Sequence, residues 1–135
     1  MPFIRTAVHR DTPAAKREAI VMGIHRALVE SIGMPEDELF NLVSDHEPGQ
    51  FFCSRTFNGI RRSDQVVVVE ITMRRGRSDA MKRSLYAAIA ERLQSAGIPR
   101  EDVFIFVHEN DYSDWSVGNG RLAMELQQQR GDVQP

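Results

Sequence analysis

The chain has 135 residues, 41% of them hydrophobic and 27% charged, with a formal net charge of −2. That length fits one domain with a real core, and that balance excludes both a disordered chain and a general nucleic-acid surface. No unbroken apolar run, Val66-Val67-Val68-Val69 included, is long enough to cross a bilayer, and no basic stretch leads into a long apolar one at the N-terminus, so neither membrane nor secretion is expected.

Residues 3–9 read as a strand flanked by polar residues. Thr12-Pro13 opens a helix, with Thr12 as N-cap and Pro13 in the first helical position, where its missing N–H is harmless. Ile20, Ile24, Ala27, Leu28 and Ile32 recur at helical spacing and make one buried face. Gly33 ends that helix and Pro35 blocks its continuation. Residues 39–44 are a second strand. Residues 46–64 are irregular, with turns at Glu47-Pro48-Gly49-Gln50 and Asn58-Gly59 and a short strand around Phe51-Phe52 between them.

The β-branched run within residues 65–73 is the strongest strand signal in the chain. Arg74-Arg75-Gly76-Arg77 follows as a loop, and Ser78 caps a second helix with Leu85, Ala88, Ile89 and Leu93 on its buried face. Gly97-Ile98-Pro99 ends it. Residues 103–107 are a fourth strand, 115–120 a turn or short strand, and 127–135 a polar, loose tail.

This order contains a repeat. Ser31-Ile32-Gly33-Met34-Pro35 matches Ser95-Ala96-Gly97-Ile98-Pro99, and Phe40 and Val43 match Phe104 and Val107 at the same offset. The expected fold class is therefore α+β with α/β-type repeats. Two β-α-β units, 2–44 and 65–109, form one mixed four-stranded sheet with two helices on one face, in a single domain over residues 1–126. Two helices cover only one face, yet 66–69 and 103–107 are apolar on both. An uncovered apolar face costs about 25 cal/mol per Å² left in water, so a homo-oligomer with its sheets packed inward is expected.

Several residues could carry chemistry. A start methionine before a small residue is usually trimmed, and trimming would turn Pro2 from an amide into a secondary amine, the strongest candidate base here. Arg74-Arg75-Gly76-Arg77 lies where a parallel strand gives way to a helix, which is where α/β units bind ligands. Guanidinium groups hold carboxylates bidentately, so the loop reads as a site for a small carboxylate or phosphate, or else as a solvated basic turn. The repeat makes the strand before this loop the counterpart of the strand after Pro2. Pseudo-symmetric pairing would bring arginines to the amine and push its pKa below the usual ~8, giving a base useful at neutral pH.

The acids Glu36, Asp37 and Glu38 read as a solvated loop or as a source of one partner acid for the amine. Trp115 beside a Gly-rich turn is a packing residue or the wall of a pocket. His9, His25, His46 and His108 have no metal-ligand spacing, and Cys53, the only cysteine, forms no internal disulfide and reads as a small core residue of a reducing, cytoplasmic setting. No phosphate-loop, dinucleotide or nucleophile-elbow pattern is present.

Pro2, Arg75-Gly76-Arg77-Ser78 and Asp114-Trp115-Ser116-Val117-Gly118-Asn119-Gly120-Arg121 together resemble the tautomerase superfamily, and most closely its malonate semialdehyde decarboxylase-like branch, from Pro2 to about Met124. The resemblance implies a homotrimer that needs no cofactor or metal, with Pro2 as catalytic amine. It implies that Arg75 and Arg77 hold and polarise a small carboxylate substrate and that Trp115 is part of the hydrophobic wall; Arg74, Asp37 and Val117 are further candidates for contact with the substrate. The sequence departs from the branch at three points. Glu38 stands where an aspartate works with the proline, Asp37 lying one residue earlier; Leu39 stands where arginine is usual; Val117 stands where an aromatic is frequent. Three functions are thus expected in order: a keto–enol tautomerase-type isomerase of a 2-oxo acid with Pro2 as base; a malonate semialdehyde decarboxylase-like lyase with Pro2 protonated and Glu38 or Asp37 assisting; and a non-catalytic trimeric binding module.

Overall fold

The computed structural model describes residues 1–130. Strands β1 (Phe3–His9), β2 (Asn41–His46), β3 (Val67–Arg74) and β4 (Val103–Asn110) form one sheet in the order β2-β1-β3-β4. Within each half the strands are parallel, joined by helix α1 (Ala14–Ile32) or helix α2 (Asp79–Ser95), and the halves meet antiparallel along β1 and β3. This is the expected mixed sheet of two β-α-β units.

Strand alternation decides what is buried. Ile4, Thr6 and Val8 of β1 and Val67, Val69, Ile71 and Met73 of β3 point to the helices and are at most 3% exposed. They pack against Ile20, Ile24, Ala27, Leu28 and Ile32 of α1 and Leu85, Ile89 and Leu93 of α2. Gly23 lets the two helices approach closely, since a Cβ there would lie 3.2 Å from Arg92 Cβ. The buried Thr6 hydroxyl is satisfied by donating to Asn41 Oδ1 at 2.9 Å. The fully buried carboxylate of Asp102 accepts from the Ser63 N–H at 2.8 Å and from the Ser63 hydroxyl, pinning the end of the long connection beside the start of β4.

Local departures have local causes. Pro13 itself occupies the N-cap position of α1, with no side-chain cap, because the Thr12 hydroxyl instead donates to the His9 carbonyl at 2.6 Å. Strand β2 starts two residues later than expected, because the Phe40 carbonyl receives the Ile4 N–H and the ladder with β1 begins at Asn41. No strand forms around Phe51-Phe52; Phe52 is 89% exposed, with no strand beside it. Strand β4 continues to Asn110, in register with the end of β3.

A third helix, α3 (Ala123–Arg130), was not anticipated and takes in the first part of the tail expected to be loose. It is started by the buried Ala123, whose N–H donates to the Trp115 carbonyl. Residues 131–135 of that tail lie outside the described residues.

Among the described residues no helix covers the other face of the sheet. Leu42, Phe104 and Phe106 lie on it, 51%, 43% and 37% exposed, opposite Arg5, Val68 and Glu70 in the ladders. His108 Nε2 and Glu70 Oε2 meet there at 2.8 Å. No helix among the described residues is long and apolar enough to cross a membrane.

Candidate active site

The site gathers at the start of β1. Pro2 is buried immediately before that strand. The turn after α1 carries Glu38 to the chain terminus: Gly33 takes a left-handed φ of 68°, and the Glu38 N–H closes back on the Pro35 carbonyl at 3.1 Å. Glu38 Oε2 thereby reaches 3.9 Å from the Met1 amine, both side chains being largely shielded.

The second half of the repeat supplies the cations. Antiparallel pairing of Phe3 with Thr72 continues toward Met1 and Arg74, which sets Arg74 beside the terminus. Its guanidinium lies 4.3 Å from the ring centre of Tyr112. Arg77 folds back to donate from Nη1 to the Arg74 carbonyl at 2.7 Å and stays half-buried. After β4 a 3-10 turn at Tyr112–Asp114 leads to Trp115, whose Nε1 donates to Asn110 Oδ1 at 2.8 Å.

Between these elements lies a cleft of about 400 Å³, lined by Met1, Pro2, Phe3, Glu38, Phe40, Trp115, Ser116 and Val117. Its walls are mostly apolar, with a carboxylate and an amine at the base, the arrangement of a small-molecule site. The amine's pKa is pulled from 8.0 down to about 6. Burial is the main cause; Glu38 pushes it back up, while Arg77 and Arg74 add to the lowering. Burial also lowers the Arg77 pKa, helped by Arg74 and opposed by Glu109 and Glu38. A partly desolvated amine beside two guanidinium groups is largely unprotonated at neutral pH.

Of the residues singled out in the sequence, Pro2, Glu38, Trp115 and Val117 meet in the cleft, and Arg74 and Arg77 bear on its amine. Two expectations need correcting. Arg75 turns away: its Nε donates to Asp111 Oδ1 at 2.6 Å and its side chain is 60% exposed. The reason is strand alternation, because Arg74 closes β3 on the side of the terminus and the next residue faces the other way. Asp37 is exposed and does not line the cleft, since the turn that aims Glu38 inward leaves its neighbour in solvent.

Phe40, Asn110 and Tyr112 were missed. Phe40 bears the repeat inside a stretch that reads as strand, and nothing local in a sequence signals that Tyr112 will meet Arg74. Among the described residues, no three His, Cys, Asp or Glu side chains gather as metal ligands. A smaller apolar hollow of about 260 Å³, on the uncovered side of the sheet near Phe51, Cys53 and Phe104, holds no comparable acid–base pair.

Two family models, each described as tautomerase enzyme, match residues 37–118 and 2–56. The chain is 32% identical over 125 residues to the "Probable tautomerase YusQ" of Bacillus subtilis (strain 168), covering 92% of this chain and 98% of that relative. It belongs to the tautomerase superfamily. Within that superfamily it lies in the malonate semialdehyde decarboxylase-like branch. The crystal structure of FG41 malonate semialdehyde decarboxylase inhibited by 3-bromopropiolate superposes with a TM-score of 0.87 at 32% identity, over 97% of each chain. Wild-type, mutant and inactivated structures of malonate semialdehyde decarboxylase, solved to explain its decarboxylase and hydratase activities, give 0.86 at 28% identity over 97% of this chain and 98% of that one.

Proposed function

We propose that the protein is a keto–enol tautomerase-type isomerase of a small 2-oxo acid, active once Met1 is removed and Pro2 carries the terminal amine. The observation that supports this best is the pKa of about 6 of the Met1 amine, which sits at this spot beside Arg74 and Arg77. An amine at Pro2 would lie one residue deeper in the same buried, cationic surroundings. As the free base it would take the enol hydroxyl proton and return a proton to the neighbouring carbon, forming the ketone with no net change in protonation. Arg77 and Arg74 would hold the carboxylate and offset charge on the enolate oxygen. Trp115, Phe40 and Val117 would keep water from the reacting carbon.

A second reading has its own support. Glu38 raises the amine's pKa, and two malonate semialdehyde decarboxylase structures are among the similar ones. Here Pro2 would stay protonated, with Glu38 assisting, while a 3-oxo acid bound through its carboxylate loses carbon dioxide and its electron pair passes to the carbonyl protonated by Pro2. In either case we take the assembly to be a homo-oligomer, a trimer by the resemblance, with the open sheet face inside it. A reducing, cytoplasmic location follows from the same reading of the lone Cys53.

The test is an intact mass to establish loss of Met1, followed by phenylpyruvate enol–keto exchange and malonate semialdehyde decarboxylation in parallel. Loss of exchange in both Pro2→Ala and Arg77→Ala is expected. Rates for both reactions that match wild type in both variants would sink the assignment of the cleft.

A further inference from the structure

We infer that Asn110 is a positioning residue that sets the Trp115 indole against the cleft and ties this wall to the arginine loop. The inference rests on reading the cleft as the active site, and it concerns a residue outside the cleft's lining.

Asn110 is the last residue of β4 and stands in register with Arg74. Its backbone carbonyl accepts the Arg75 N–H at 2.8 Å, so it extends the pairing one residue beyond β3 and fixes where the loop carrying Arg77 departs. Its side-chain Oδ1 accepts from Trp115 Nε1 at 2.8 Å. One residue therefore holds both the cationic and the aromatic side of the site.

The segment between Asn110 and Trp115 is built to keep that link short. The Asp111 N–H donates to Asp114 Oδ2 at 2.8 Å, and the reciprocal bond from the Asp114 backbone to Asp111 closes a capping box around the 3-10 turn. Tyr112, inside the turn, sets its ring against the Arg74 guanidinium. Trp115 has its backbone fixed separately, by accepting the Ala123 N–H at 3.0 Å. That contact fixes the residue but not the rotation of its ring. An indole has a single donor and no acceptor, so the bond to Asn110 Oδ1 selects the ring orientation. Without it the half-buried N–H would turn toward water and the wall would loosen.

Such a residue should act on substrate binding more than on proton transfer. In Asn110→Ala, KM for phenylpyruvate should rise about fivefold or more, as for a wall misplaced by about 1 Å, with kcat within about twofold and the pH profile unmoved. Trp115 is the only tryptophan, so intrinsic fluorescence reads the proposed contact directly. Asn110→Ala should shift emission to the red and increase acrylamide quenching. Asn110→Asp, which keeps an acceptor oxygen, should restore both. Trp115→Phe, which keeps a ring but loses the N–H, should raise KM similarly, and adding Asn110→Ala to it should change KM no further.

Unchanged quenching in Asn110→Ala, or fully additive KM effects in the double variant, overturns the inference. If the fluorescence responds but the wild-type protein catalyses neither reaction, the hold on Trp115 stands and the reading of the cleft is what fails.

Discussion

Arg77 and Glu38 act on the same terminal amine with opposite sign: the guanidinium favours its neutral form and the carboxylate its charged form. Burial outweighs both and brings the pKa to about 6. That amine is Met1's; where the Pro2 amine exposed by loss of Met1 feels the same guanidinium, removing Arg77 takes away a cause of the lowering, so its pKa should rise in Arg77→Gln. If the free amine is the base, the rate of enol–keto exchange climbs with pH through that pKa, and the variant's rising limb moves to higher pH. KM for the carboxylate substrate should also rise about 10- to 100-fold, the usual cost of losing a hydrogen bond to a charged group. Initial rates across pH 5 to 9, resolved into kcat and kcat/KM, would check both. An unmoved limb is incompatible with Arg77 bearing on the base.

Glu38→Gln runs the other way and separates the two chemistries. Glu38 raises the Met1 amine's pKa, and a Pro2 amine in the same surroundings should, without that carboxylate, titrate at lower pH and be more fully neutral at pH 7. A base-catalysed isomerase then keeps or gains activity on the acid side of neutrality. A lyase that needs protonated Pro2 loses it over the same range. Measuring both reactions on this one variant discriminates them by sign.

The arginine loop offers a contrast between adjacent residues. Arg75 pairs with Asp111 in solvent, where water and salt screen the pair and it adds little to stability. Arg75→Ala should therefore leave kcat/KM within about twofold and shift the melting temperature little. Arg74→Ala should lower kcat/KM at least about tenfold, since a charged hydrogen bond to substrate contributes about 1.5–3 kcal/mol. Steady-state kinetics on the two variants would decide, and equal losses would contradict the orientation of the two side chains.

The same loop marks the limit of what was legible. Helix faces, the repeat and the sheet could be read because periodicity and glycine punctuation are local signals. Gly33 and Ser78 end and start their helices as expected, with Ser78 Oγ accepting the Met81 N–H. The choice between Arg74 and Arg75 was not local. It follows from Phe3 pairing with Thr72, a register set between strands more than sixty residues apart. The inward turn of Glu38 and the outward turn of Asp37 depend in the same way on one hydrogen bond, from the Glu38 N–H to the Pro35 carbonyl. The linkage of Tyr112 to Arg74 and of Asn110 to Trp115 exists only once β4 lies beside β3.

Gly23 gives a prediction in which propensity and packing conflict. Replacing a mid-helix glycine with alanine normally stabilises a helix by about 1 kcal/mol. Here the added methyl would lie 3.2 Å from Arg92 Cβ, a tight contact with an atom that cannot move without the α2 backbone. Overpacking of this kind costs about 1–3 kcal/mol, so packing should win. Gly23→Ala is expected to lower the melting temperature by about 2–4 °C, and Gly23→Leu by considerably more. A raised melting temperature for the alanine variant would mean that α1 and α2 can separate at no cost.

The open sheet face should govern assembly. Leu42, Phe104 and Phe106 present exposed apolar surface that no helix among the described residues covers. At about 25 cal/mol per Å², covering this surface favours association of copies through their sheets. The face is not wholly apolar: Glu70 pairs with His108, and Arg5 stands across the ladder from Glu70. Those groups can stay partnered within one chain while the aromatic rows meet those of a neighbour. Phe106 lies between them, in register with Glu70, so a carboxylate at position 106 would both remove an aromatic contact and set two like charges side by side. Phe106→Asp should therefore yield monomers by sedimentation equilibrium at concentrations where the wild type is oligomeric. Its core should stay folded, because Phe106 contributes nothing to the face that packs on α1 and α2. A variant that remains oligomeric would place the interface elsewhere.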